Sequence, residues 1–351
     1  MRRILIIRPS ALGDVVMASP MIGAIRRAYP QGYLAWLVEP AAAELLRRHS
    51  GLDEVIEWPR GKWEELLRRA RVLALGRDIC RLARVLRSRS FHLALEGTGL
   101  LKGRALAYLS GAPERIGFRS REPGGFLMTR LISRDPADGR IGSEYLQLVE
   151  SLGLSPGPFR MEVALGAAAR DGARRVLLAE GVTGPYAALC PFTTRDQKHW
   201  PEERWVTLAA ALEREFDLTP VVLGGLGDRR EGQRLREAAG SRVIDLTGRT
   251  ALEESAAVVE GASLVIGVDT GLTHMSVAFA RPTVALFGAT RPYLDAGTPK
   301  ARVLYHPYPC SPCRRRPTCD RRYPCMAAIE TDEVLQAARP LLGGGSTSSE
   351  R

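Results

Sequence analysis

The stretch SLVIGVDTGLTHMSVAFARPTVALFGATRP, residues 263–292, runs from an apolar segment into Asp269, turns at Thr270 and Gly271, and continues in a helical pattern. A helix that starts directly after a strand presents free N–H groups and the positive end of its dipole, which suits an anion such as a phosphate. Gly271 lets that anion approach the backbone closely, and His274, one turn in, can reach the same place. The same residues also fit plainer duties, with Asp269 or Thr270 capping the helix and His274 packing. The spacing is not G-x-G-x-x-G, which argues against the standard dinucleotide fingerprint.

Three other stretches place reactive residue types after apolar runs. In CPFTTRDQKHWPEERW (190–205), Thr193 and Thr194 follow a strand, then Lys198, and Pro201 fits the first position of a helix. Hydroxyls, a lysine and backbone N–H groups near a helix start suit a diphosphate; a helix cap beside a surface lysine is the alternative. In LGGLGDRREGQRL (223–235), Asp228 and Glu231 follow a glycine turn. A carboxylate there can accept from ribose hydroxyls or simply favour a helix N-terminus. In RPSALGD (8–14), Asp14 stands behind Ser10 and Gly13, past the run Ile4–Ile7, either as a helix cap or as a catalytic group. Pro20 leaves two local structures open. It kinks a helix begun near residue 14, or it starts a new helix behind Ser19 and frees Asp14 from capping.

Four of the six cysteines, Cys310, Cys313, Cys319 and Cys325, form a C-x2-C-x5-C-x5-C series near the C-terminus. Four thiolates can close a structural zinc site, favoured by the arginines around them; free thiols are the other reading. A catalytic metal is not expected, and disulfides do not suit a reducing cytosol.

The elements that must hold these residues alternate. Candidate strands at 3–8, 33–39, 54–58 and 92–96 are separated by helical patterns at 15–28, 40–48, 64–87 (interrupted) and 102–109; 116–125 reads as a loop and 142–152 as a helix. After the Gly/Pro-rich 153–158 comes a helix at 167–180. A second series of strands follows near 185, 219, 242, 263 and 283, with helices at 202–215, 228–239, 251–260 and 271–280. Such alternation is the mark of βαβ units and a parallel sheet. The chain therefore reads as two α/β halves, 1–160 and 161–330, then a loop-like cysteine segment, a helix at 331–342 and a disordered tail at 343–351. Two open sheets in tandem leave a cleft between them, and ligands bind beyond the carboxyl ends of the strands.

At 351 residues the chain can bury two cores. No apolar run is long enough to span a membrane, and the N-terminus reads as a first strand rather than a signal peptide, so a cytoplasmic location is expected. The formal charge of +11 rests almost entirely on arginine, since only Lys62, Lys102, Lys198 and Lys300 are lysines. The excess reflects either codon usage or an anionic partner. No basic stripe is interleaved with aromatics, so a nucleic-acid partner is not expected.

RPSALGDVV, TTRDQKHWPEERW and GVDTGLTHMSVAFARPTVALFGATRP together resemble the lipopolysaccharide heptosyltransferases of glycosyltransferase family 9, from residue 3 to about 300. TTRDQKHWPEERW, with GLLKG (99–103) and REP (121–123), looks more like heptosyltransferase I than II; the cysteine segment looks more like other branches. The resemblance implies a GT-B fold of two Rossmann-like domains facing across a cleft, the acceptor domain first and the nucleotide-sugar domain second. The C-terminal helix in such proteins often returns to the first domain. The resemblance also implies an inverting transfer without a catalytic metal. The donor would be ADP-L-glycero-β-D-manno-heptose and the acceptor Kdo of Kdo–lipid A, met by a monomer at the inner leaflet of the inner membrane. On it, Asp14 matches the general base. Thr193, Thr194 and Lys198 match donor diphosphate contacts, Asp269, Thr270, Gly271 and His274 the second nucleotide-sugar loop, and Glu231 (rival Asp228) the ribose carboxylate. Ser10, Gly13, Lys102 and Arg121 fall on the acceptor side. A different family-9 donor or acceptor, or a two-domain sugar-nucleotide epimerase, are the alternative activities.

Overall fold

The computed structural model describes residues 1–134, 139–158, 160–313 and 316–343. Its first unit, Met1–Asp138 with Gly142–Ala164, runs β1 (Arg3–Ile7), α1 (Leu12–Ala18), α2 (Pro20–Ala28), β2 (Tyr33–Val38), α3 (Pro40–Ala43), β3 (Glu54–Glu57), α4 (Arg60–Arg68), α5 (Val72–Ser88), β4 (Leu93–Glu96), α6 (Leu101–Leu109), β5 (Glu114–Phe118), β6 (Arg130–Ile132) and α7 (Ser143–Glu150). The second, Gly139–Ile141 with the chain from Leu165, runs α8 (Ala167–Ala179), β7 (Tyr186–Cys190), α9 (Glu202–Phe216), β8 (Thr219–Val222), α10 (Arg229–Ala239), β9 (Ile244–Asp245), α11 (Leu252–Gly261), β10 (Leu264–Val268), α12 (Gly271–Ala278), β11 (Thr283–Phe287), β12 (Ala301–Tyr305), α13 (Pro324–Ala327) and α14 (Thr331–Gly343).

Each unit holds one six-stranded sheet, and the two sheets share one winding. The first has the order β3-β2-β1-β4-β5-β6 and the second β9-β8-β7-β10-β11-β12, with every neighbour parallel. The winding reverses between β1 and β4 in one sheet and between β7 and β10 in the other. In doubly wound sheets the crevice at that reversal, beyond the carboxyl ends of the strands, is the ligand site. Central strands are apolar throughout because helices cover both faces. Ile4 and Ile6 of β1 enter one core with Trp36, Met21 and Leu148, while Leu5 and Ile7 enter the other with Leu37, Leu86 and Leu106. Trp200 and Trp205 meet edge to face at 4.9 Å in the second unit, and the Trp200 indole donates to Ile329 O.

Several elements differ from the sequence reading. The helix expected over 40–48 shortens to Pro40–Ala43, after which the chain tightens into turns with i→i+3 bonds such as Leu46 N–H to Ala43 O. Part of the expected loop 116–125 is strand β5, whose Ile116, Gly117 and Phe118 are buried beside β4. Strands β6 and β12 were not expected; both are partly exposed edge strands, which need no continuous apolar run. α14 packs in the second unit, with Val334, Leu335 and Ala338 in its core and Arg339 paired with Glu215. Apart from Gly343, which ends α14, the tail expected to be disordered lies outside the described residues.

Candidate active site

At the first reversal point, Pro20 resolves both local alternatives at once. α1 begins at Leu12 and stops at Ala18, where Ser19 turns its hydroxyl back to Val16 O, and Pro20 opens α2. Asp14 lies in the first turn of α1. Its Oδ2 accepts the Ala11 N–H at 3.1 Å and meets Arg8 Nη2 at 2.5 Å. Asp14 is thus a cap, but through one oxygen. Both bonds fall on Oδ2, and among the described residues Oδ1 has no partner, on a side chain that is 34% exposed. Arg8 is itself buried. It donates to Gly97 O at 3.1 Å, across from β1 to the chain leaving β4, and lies 5.7 Å from the Tyr145 ring. Ser10 lies on the turn into α1, and Gly13 precedes Asp14 within the first turn of that helix.

At the end of β4, Glu96 is fully buried and accepts from the N–H groups of Thr98 and Gly99 and from the Thr98 hydroxyl. Burial raises its pKa, and these bonds with Arg8 nearby only partly oppose that. Lys102, on the first turn of α6, has its Nζ 5.8 Å from the Trp58 ring. Burial, then the neighbouring Arg60, push its pKa down against the pull of Glu39. Arg121 is exposed on the loop after β5. That loop is held by Arg104, a fully buried residue of α6 whose guanidinium donates to Phe118 O, Ser120 Oγ, Glu122 O and Pro123 O. One helix therefore carries Lys102 and fixes the loop that carries Arg121.

At the second reversal point the carboxylate is closed. Asp269, just past β10, meets Lys198 Nζ at 2.5 Å and accepts the Thr290 hydroxyl at 2.6 Å, both through Oδ2; His274 Nε2 lies 3.1 Å from Oδ1. Lys198 also donates to Asp269 O at 3.3 Å. Burial alone would raise the Asp269 pKa, but His274 and Lys198 outweigh it and hold the carboxyl well below the usual range. The other ring nitrogen of His274 lies 3.2 Å from the Tyr293 hydroxyl, whose proton is kept by burial and by the Asp269 charge. Because a carboxylate only accepts, Nε2 donates to Asp269.

His274 is therefore buried and engaged at both nitrogens rather than free for an anion. The helix-capping reading of Asp269 and Thr270 also falls: Thr270 occupies the N-cap position of α12, but no side-chain capping hydrogen bond forms there. The first amides of α12 are left for another acceptor. Gly267 lets this helix approach, since a Cβ there would stand 2.1 Å from Thr273 Oγ1 and 2.8 Å from Cys190 Cβ.

Thr193 and Thr194 follow β7 on a loop folded by His199, whose Nε2 lies 2.9 Å from Thr193 O; Lys198 ends a 3-10 turn in the same loop. Asp228 accepts the Gly225 N–H at 2.8 Å and is used as a local cap. Glu231, half-buried in the first turn of α10, forms no side-chain hydrogen bond or ion pair among the described residues. Sequence reasoning missed Arg8, Arg104, Thr290 and Tyr293. Arg8 reads as the last residue of the strand 3–8, and Thr290 and Tyr293 follow β11, where a search past each strand end finds them.

The four clustered cysteines carry free thiols. Among the described residues no group of three or more His, Cys, Asp or Glu is placed to hold a metal ion, so of the two readings the free thiols fit the structure. Nor are thiolates favoured: burial first, then the neighbouring thiols, raise the pKa of Cys313 and Cys325. Cys325 instead packs beside Gly288 at the end of β11, and Cys313 lies against Ala289 O.

Two doubly wound units, each with a polar cluster at its reversal point, are the architecture of the GT-B fold. Residues 79–323 match the model of glycosyltransferase family 9 (heptosyltransferase), and the chain belongs to that family. It is 29% identical to lipopolysaccharide heptosyltransferase 1 of Salmonella typhimurium over 320 residues, 88% of this chain and 94% of that protein. The corresponding Escherichia coli K12 protein is 28% identical over 86% of this chain and 92% of its own length. Among solved structures, a family-9 glycosyltransferase from Veillonella parvula superposes with a TM-score of 0.78 at 20% identity, covering 97% of both chains. E. coli heptosyltransferase WaaC with ADP-2-deoxy-2-fluoro heptose superposes with a TM-score of 0.71 at 25% identity, over 95% of this chain and 98% of that one.

Proposed function

We propose that the chain transfers heptose from ADP-L-glycero-β-D-manno-heptose to Kdo of Kdo–lipid A with inversion, and needs no catalytic metal. Relatives named as lipopolysaccharide heptosyltransferase 1 and the ADP-heptose analogue bound by WaaC support the donor and the acceptor class. The observation that carries the mechanism is Asp14, tethered through Oδ2 with Oδ1 unengaged.

Oδ1 accepts the proton of the attacking acceptor hydroxyl as that oxygen bonds to C1 of the donor and the C1–oxygen bond to ADP breaks. Arg8 and the Ala11 N–H hold the carboxylate in place during the step. The leaving diphosphate is met by Lys198, the hydroxyls of Thr193 and Thr194, and the free amides at Gly271, a preorganised set of donors. Asp269 fixes Lys198, Glu231 takes the ribose, and Lys102, Arg121, Ser10 and Gly13 serve the anionic acceptor. The first unit is the acceptor domain and the second the donor domain of a monomer at the inner-leaflet surface.

The test is a donor screen with Kdo–lipid A as acceptor, reading ADP release and the glycosylated lipid. ADP-heptose is expected to exceed other nucleotide sugars. No ADP release points to another family-9 substrate, and conversion of the nucleotide sugar without any acceptor points to an epimerase.

A further inference from the structure

α4 and α5 form a hairpin that stands proud of the first sheet. The Arg89 guanidinium after the end of α5 holds Glu54 at the start of β3, and Leu82 and Val85 line a cavity with Glu54, Val55 and Ile56. Higher on α5, Asp78 pairs with Lys62 of the first turn of α4, just past the carboxyl end of β3. The part of α5 before Asp78 therefore extends beyond the sheet edge, by about 9 Å at 1.5 Å per residue. No residue of α4 is buried. Residues 67–73, Leu-Arg-Arg-Ala-Arg-Val-Leu, are all exposed, with Leu67 at 64%, Val72 at 66% and Leu73 at 84%.

An apolar tip on a projecting hairpin costs solvation unless something covers it. Its setting identifies the cover. Arg68, Arg69 and Arg71 alternate with the apolar residues, and residues 60–88 hold nine Arg and Lys against three Asp and Glu, more than half of the chain's +11. Apolar side chains ringed by arginine match an anionic lipid surface, where the apolar groups enter the acyl boundary and the guanidinium groups meet the headgroups. The tip also lies on the carboxyl-end side of the sheet, the side that carries Asp14 and Lys102.

We propose that the α4–α5 tip, Leu67 to Leu73, docks the first unit on an anionic membrane and so orients the Asp14 side of the sheet toward it. The inference rests on the acceptor being lipid-borne, and its test does not depend on transfer activity. No helix is long and apolar enough to cross a membrane among the described residues, so the contact is peripheral.

The full chain is sedimented with vesicles of phosphatidylcholine and phosphatidylglycerol in equal parts, and with phosphatidylcholine alone. The comparison is with a Leu67→Ser, Val72→Ser, Leu73→Ser variant whose fold is checked by circular dichroism and thermal melting. The wild type is expected to bind the anionic vesicles and to weaken with salt, and the variant to bind about ten-fold less. The variant should keep the wild-type rate toward a deacylated, water-soluble acceptor and lose rate on vesicle-borne acceptor. Equal sedimentation of the two proteins overturns the proposal. So does loss of rate on the soluble acceptor, which would make the tip part of the acceptor site, or self-association through the tip with no vesicle binding. If neither protein transfers heptose yet binding still depends on the tip, docking stands and the activity reading fails.

Discussion

The two sheets wind identically, yet their reversal points are built with opposite charge. After β1 the loop brings a carboxylate, Asp14, held by Arg8 through one oxygen. After β7, the equivalent strand, the loop brings a cation, Lys198, held by a carboxylate that is occupied at both oxygens. The strands beyond the reversals differ in the same sense. Glu96 at the end of β4 is buried against backbone N–H groups and its pKa is raised, while Asp269 at the end of β10 is buried against Lys198 and His274 and its pKa is lowered. The lesson is one of division of labour within a duplicated scaffold. An anionic oxygen left open can take a proton, whereas a carboxylate engaged at both oxygens can only fix the position of its cation.

Removing the open oxygen should have the largest effect. Asp14→Asn keeps the shape, and its amide oxygen can still accept the Ala11 N–H, but it loses the charge that faces Arg8 and cannot accept a proton, so kcat is expected to fall about 10²- to 10⁴-fold. Donor KM and ADP affinity should stay near wild type. Steady-state kinetics with isothermal titration of ADP make the check, and a wild-type kcat would falsify the assignment of Asp14 as base. Asp269→Ala probes the closed carboxylate and should act differently. It leaves Lys198 and His274 buried without their partner, an effect of about 3–5 kcal/mol on stability. Chemical denaturation should show that loss, together with weaker ADP binding. A variant as stable as the wild type would mean that the pair does not organise the second site.

Much of this contrast is legible in the sequence because it sits where strands end. Asp14, Lys198 and Asp269 each follow an apolar run, and a polar residue at such a place has few reasons to be there. What the sequence does not reveal is partnership across the fold. Arg8 looks like the last residue of a strand, and only the fold aims it at Asp14 and Gly97 O. Thr290 is 21 residues from Asp269 and Tyr293 is 19 from His274, brought together by β10 and β11 lying parallel. Buried Arg104 reads as one more arginine among many, although four oxygens of the loop after β5 depend on it. Edge strands β6 and β12 escape because partial exposure removes the apolar pattern that marks the central strands. The cysteine spacing left two readings open because spacing does not fix where the thiols point.

The opposite pKa shifts of Glu96 and Asp269 give the two units opposite acid responses. Asp269 is depressed, so its contribution is complete above the unfolded carboxyl pKa of about 3.9 and is lost as pH falls toward the folded value. The stability advantage of wild type over Asp269→Asn should therefore shrink as pH drops below about 4. Glu96 is raised, so its contribution is complete below about 4.3 and is lost as pH rises through the folded value. The difference between wild type and Glu96→Gln should accordingly move against the wild type as pH climbs from that point. Urea titrations of the three proteins across acid pH would reveal the crossing, and parallel curves would remove the electrostatic distinction between the units.

The smallest effect sharpens how far the closed network extends. Tyr293 does not touch Asp269; its hydroxyl meets His274, which meets Asp269, which holds Lys198. Tyr293→Phe keeps the ring against Phe287, 5.0 Å away, and removes only the hydroxyl. The buried His274 Nδ1 then loses its partner, at a cost of about 1 kcal/mol. Because His274 is one step removed from Lys198, ADP affinity should fall by only a few-fold, roughly the effect of a single neutral hydrogen bond, with kcat nearly unchanged. The outcome separates two kinds of second site. An unchanged affinity would confine the working unit to Lys198 and Asp269, while a loss as large as that of Asp269→Ala would make Tyr293 part of the pair's foundation rather than its outer support.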